Sequence, residues 1–142
     1  MSKIGVGIIG AGSIADIGHC PSIEALPNAY LAALCDTNTE FLDKMSRKWN
    51  PKKTYVDYHD MLEDKNVQVV IVGTPNRLHA QEAIDAMRAK KHVIVEKPFA
   101  CTHAEAWKMV DVCHEEGVFL MAGTNQRFWE QNMIARKLID DG

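Results

Sequence analysis

Ile4-Gly5-Val6-Gly7-Ile8-Ile9-Gly10-Ala11-Gly12-Ser13-Ile14-Ala15 decides the architecture of this chain. Residues 3–9 are rich in Val and Ile and run straight into Gly10, the pattern of a buried strand. Gly10-x-Gly12-x-x-Ala15 then opens a helix predicted over residues 13–25, stopped near Pro27. A glycine repeat alone is a weak signal. Between a strand and a helix it has a mechanism. Gly10 allows the tight turn, Gly12 lets the backbone approach a pyrophosphate, and Ala15 is small enough for the helix to pack on the strand. Phosphates there would meet the free N–H groups and positive dipole end of the helix, at Gly12, Ser13 and Ile14.

Outward from this stretch, short apolar runs alternate with amphipathic ones. Strands are predicted at residues 31–35, 54–56, 67–72, 92–95 and 118–121, and helices at 39–49, 58–62 and 128–141. Ala80, Ala83, Ile84 and Met87 recur at the spacing of one helix face. Thr102 and Glu105 form a capping box ahead of a stripe of Ala106, Trp107, Val110 and Cys113, and Gly117 follows where a left-handed cap is expected. Trp49, Trp107 and the methionines read as core or interface, and His59, His103 and His114 as surface. Strand–helix alternation of this kind predicts an α/β fold: a doubly wound parallel sheet of about six strands with helices on both faces. A barrel of eight such units needs about 250 residues and is excluded.

Asp36 ends the second predicted strand, about twenty residues after the glycine motif, where the dinucleotide fingerprint expects an acid. A carboxylate there accepts hydrogen bonds from the adenine ribose and repels a 2′-phosphate. Thr37 and Asn38 follow it, with no Arg, so NAD is expected over NADP.

Composition narrows the remaining classes. The chain has 142 residues, 46% of them hydrophobic and 25% charged, which suits one compact soluble domain. A net charge of −3 excludes a field that would hold nucleic acid or an acidic membrane. No run approaches the ~18 apolar residues of a membrane helix. Cys20, Cys35, Cys101 and Cys113 show no metal-ligand spacing, so no metal is expected, and they read as reduced thiols of a cytoplasmic protein.

Polar residues gather at the predicted carboxyl ends of the last three strands. They are Gly73-Thr74-Pro75-Asn76 with His79, then Glu96-Lys97-Pro98, then Gly123-Thr124-Asn125-Gln126-Arg127. In a doubly wound sheet those ends line the ligand crevice. The stretches G-T-P-N-R-L-H-A, K-K-H-V-I-V-E-K-P-F-A and A-G-T-N-Q-R-F resemble the glucose–fructose oxidoreductase / inositol dehydrogenase (Gfo/Idh/MocA) family over essentially the whole chain.

That resemblance implies a Rossmann domain and assigns roles by position. Lys97 looks like the catalytic lysine that hydrogen-bonds the reacting hydroxyl and helps move its proton. A lysine partly desolvated beside a cationic nicotinamide is pushed towards use as a base. Thr74, Pro75, Asn76 and His79 are implied to contact the cofactor, with Glu96, Lys97, Asn125 and Arg127 nearby. Read alone, Asn76 is an N-cap, His79 a partly buried helix residue and Arg127 an ion-pair partner. His19 is able to approach the crevice from the first helix. The resemblance also implies a full-length, homo-oligomeric parent that moves a hydride between nicotinamide and a secondary alcohol of a sugar, cyclitol or similar polyol. Residues 1–124 are expected to be the dinucleotide domain. Residues 125–142 are expected to lead into a substrate domain absent from this sequence, so the chain by itself should bind cofactor without completing catalysis. The alternative on the same fold is a non-catalytic regulator that senses NAD.

Overall fold

In the computed structural model, which describes residues 3–142, six strands form one sheet in the order β3-β2-β1-β4-β5-β6. They are β1 (Ile4–Ile9), β2 (Ala29–Cys35), β3 (Lys53–Tyr55), β4 (Val69–Val72), β5 (His92–Val95) and β6 (Leu120–Ala122). Every neighbouring pair is parallel. This is the doubly wound order, and it reverses between β1 and β4.

Five α-helices lie between the strands, α1 (Cys20–Ala25), α2 (Thr39–Trp49), α3 (Tyr58–Leu62), α4 (His79–Arg88) and α5 (His103–Glu116), and α6 (Glu130–Asp141) follows β6. Alternation along the strands splits the core in two. Ile8, Leu34 and Ile71 pack with Ile23, Leu42 and Met45 on one side. Ile9, Val70, Val72, Val93 and Val95 pack with Ile84, Met87 and Met109 on the other. Single-residue alternation sends neighbours such as Ile8 and Ile9 to opposite layers.

Local chemistry sets the helix limits. The Asn38 side chain accepts from the Glu40 and Phe41 amides and starts α2, which ends at Asn50 with φ 45°. The Thr102–Glu105 capping box is formed, and Gly117 closes α5 in the left-handed region.

Three expectations need correction. The first helix is not regular: a π-turn, Ala15–His19, precedes α1. The buried face of α5 is Met109 and Val112, not the stripe through Trp107. Trp107 is 56% exposed and donates from Nε1 to His103 Nε2 at 2.8 Å. The last helix starts at Glu130 behind a 3-10 turn, Asn125–Phe128, and none of its residues is buried. Met133, Ile134 and Leu138 are all exposed.

One buried cation braces the end of the sheet away from the crevice. Lys91 is 9% exposed, and its ammonium donates to the carbonyls of Asp64 (2.9 Å) and Val67 (2.8 Å). Burial pushes its pKa below the usual lysine range. Lys91→Met removes both bonds, although the Asp64 carbonyl still accepts from the Val67 amide, and should cost about 1–3 kcal/mol. Urea denaturation should show a lower midpoint at unchanged slope; an unshifted midpoint would contradict the assignment.

Candidate dinucleotide site

The crevice opens where the strand order reverses, between the carboxyl ends of β1 and β4. Gly10 takes φ 98°, a conformation that favours glycine, and its amide donates to Cys35 O at 2.8 Å. The turn thereby aims the following residues over the sheet edge. A side chain on Gly12 would meet nothing within 4 Å, so the space above it is open. The helix starting at Ser13 leaves its first-turn amides without intrahelical acceptors, facing the same space.

Asp36 sits directly after β2. Its Oδ2 accepts from the Ala11 amide and its Oδ1 from the Asn38 amide, each at 2.8 Å. The acid is thus bonded to the glycine turn itself. Each carboxylate oxygen accepts two hydrogen bonds, so one site per oxygen is left for a ligand hydroxyl.

A cavity of about 850 Å³ runs from Gly10 and Gly12 past Asp36 to Thr74, Pro75 and Glu82. Phe41, Val56 and Leu78 supply exposed apolar wall, and Arg77 and Asp57 lie on its rim. Volume and lining fit a nucleoside diphosphate. Sequence reasoning passed over Phe41, Val56, Arg77, Leu78 and Glu82. They come from four separate segments, and no spacing rule connects them.

The predicted residues fall in different places. Gly10, Gly12, Asp36, Thr74 and Pro75 line the cavity. Ser13 is exposed and Ile14 half-buried beside it. His79 lies underneath, only 1% exposed. Its Nδ1 meets Pro98 O at 2.9 Å and its Nε2 meets Thr74 O at 2.8 Å. It joins the loop after β4 to the loop after β5, and with both ring nitrogens engaged it has none for a ligand. Asn76 is exposed and caps nothing; the turn Asn76–Leu78 follows Pro75.

Glu96 and Lys97 follow β5, away from the cavity lining. Glu96 Oε2 accepts from the Lys97 amide at 3.1 Å, and Oε1 lies 3.1 Å from His19 Nε2. That second approach is close enough for an ion pair but poorly aligned for a hydrogen bond. Burial pushes the His19 pKa down, against the pull of Glu96. The carboxylate thus bridges the helix of the glycine motif and the backbone of Lys97. The Lys97 side chain is exposed, and the Lys97–Pro98 bond is cis. Asn125 and Arg127 are exposed beyond β6, with the Arg127 guanidinium 5.8 Å from the Phe128 ring centre. Among the described residues Arg127 has no ion-pair partner, which corrects that reading.

Comparison with known proteins agrees with this geometry. Residues 4–124 match the family model GFO_IDH_MocA, described as an oxidoreductase family with an NAD-binding Rossmann fold. The chain is 31% identical over 137 residues to myo-inositol 2-dehydrogenase of Thermotoga maritima, covering 96% of this chain and 41% of that protein. It superposes on apo scyllo-inositol dehydrogenase from Lactobacillus casei with a TM-score of 0.92 at 25% identity, covering 99% of this chain and 42% of that one. KijD10, a 3-ketoreductase from Actinomadura kijaniata solved with NADP, gives 0.91 at 28% identity, covering 99% and 45%. The chain spans about 41% of the length of the first of these relatives. A doubly wound sheet, an acid bonded to its glycine turn and a match over residues 4–124 lead to one conclusion: this chain belongs to the GFO_IDH_MocA oxidoreductase family and is a Rossmann domain of the NAD(P)-binding type.

Proposed function

We propose that this chain binds NAD in preference to NADP and forms the cofactor half of an oxidoreductase acting on a secondary alcohol of a sugar, cyclitol or similar polyol. The observation that carries the cofactor choice is the Asp36 carboxylate at the glycine turn. It offers acceptors to ribose hydroxyls and repels a 2′-phosphate. KijD10 was solved with NADP, so the fold admits either cofactor and local charge decides.

The fit rests on the open space over Gly12, the free lone pairs of Asp36 and the cavity running to Glu82. When bound, the nicotinamide supplies a hydride acceptor or donor. The chain supplies the rest. Gly12 to Ile14 hold the pyrophosphate on the helix N-terminus. Asp36 orients the ribose. Lys97 projects from the end of β5 with its backbone fixed by Glu96, and takes up the proton of the reacting hydroxyl. The substrate class follows the inositol dehydrogenases to which the chain is similar.

A calorimetric titration with NADH and, separately, NADPH tests the reading. NADH should bind tighter by about tenfold or more, as expected for a repelled phosphate losing at least about 1.4 kcal/mol. Asp36→Asn keeps an acceptor for the Ala11 amide and removes the charge. It should narrow the preference about tenfold. An NADPH preference in the unaltered chain would overturn the role of Asp36.

A further inference from the structure

We propose that Glu82 reads the base of the dinucleotide, accepting a hydrogen bond from the exocyclic 6-amino group of adenine at the floor of the cavity. This rests on the dinucleotide reading above and deepens it.

Three acids line the cavity: Asp36, Asp57 and Glu82. Asp36 is bonded to the glycine turn, where the ribose belongs. Asp57 caps α3 through the His59 amide and pairs with the His59 ring. Glu82 is the one of the three that is buried deep in the fold and faces the cavity from α4. It sits on α4, 5% exposed, and its Oε2 accepts from the Thr74 hydroxyl. Among the described residues its Oε1 has no donor, and no cation lies within ion-pair distance of it. That oxygen is not sealed off from the cavity, so a donor arriving there meets a free acceptor. Burial raises its pKa, with the Thr74 hydrogen bond pulling the other way.

The walls say what kind of donor arrives. Phe41, Val56 and Leu78 present apolar surface suited to a flat ring. Once Asp36 fixes the ribose, the base extends between these walls, and its edge comes to the remaining acid. Adenine carries an amino donor at position 6. Hypoxanthine carries an oxo group there, which a carboxylate repels. Glu82 thus makes the site select a 6-amino purine, a choice that Asp36 and the glycine turn cannot make.

The experiment is calorimetric titration of this chain with NADH and with reduced nicotinamide hypoxanthine dinucleotide, its 6-oxo analogue. The unaltered chain should favour NADH by about tenfold or more, the worth of a hydrogen bond to a charged group. Glu82→Gln keeps the shape and offers both a donor and an acceptor, so the preference should fall to within about threefold. Glu82→Leu should also lose the preference, with a melting curve to show that the fold persists. If Glu82 only props Thr74, both variants keep the unaltered preference for NADH, and the proposal is wrong. Equal binding of the two dinucleotides by the unaltered chain overturns it while leaving the dinucleotide reading intact. Binding of neither removes that reading and the proposal together.

Discussion

Gly12→Val should lower NADH affinity by about 100-fold or more while leaving the melting temperature of the chain nearly unchanged. The two glycines of the motif do different jobs, and the structure separates them. A Cβ on Gly12 meets no atom within 4 Å, so the fold tolerates a side chain there. The same side chain fills the space in which a pyrophosphate would approach the amides. Losing two charge-assisted hydrogen bonds costs about 3 kcal/mol or more, which sets the 100-fold figure. Gly10→Ala should behave in the opposite way. Gly10 takes φ 98°, and a Cβ there would lie 2.8 Å from the Gly73 carbonyl carbon and oxygen. Strain and overlap together should cost about 2–5 kcal/mol of stability. Paired measurements of melting temperature and NADH affinity on both variants check this. A Gly12→Val chain that melts normally and binds NADH at full strength would remove the phosphate role of the turn.

The contrast also shows how far sequence reasoning reaches. Strand and helix placement were legible because burial leaves a pattern: a continuous apolar run along β4, a period of about 3.6 along α4. Asp36 was legible because a fixed distance separates it from the glycine turn. Trp107 was misread because α5 carries apolar residues on more than one face, and only the position of α4 decides that Met109 and Val112 turn inward. His79 was legible as a residue with a job but not as to what it touches. Its partners, Thr74 and Pro98, are brought together by two different loops. Glu82 left no trace at all. It reads as a solvated helix position, and only the Thr74 loop packed beside it makes it buried. His19 gained weight in the structure because Glu96, far along the chain, comes to 3.1 Å from it.

Lys97→Ala should lower kcat by about 10²–10⁴-fold in an enzyme that joins this chain to a substrate-binding half, with NADH affinity within about twofold. The lysine is exposed, so its removal leaves no buried partner stranded and the fold should not change. Cofactor and proton transfer are then read separately: the NADH titration reports on the glycine turn and Asp36, and turnover reports on Lys97. Glu96→Gln is the complementary change. It keeps the bond from Lys97 N but removes the charge facing His19, so it should lower kcat by less than Lys97→Ala does. A regulator that only senses NAD has no use for a cation at the end of β5. Normal turnover in Lys97→Ala would therefore remove the catalytic role while leaving the dinucleotide site, carried by Gly12 and Asp36, intact.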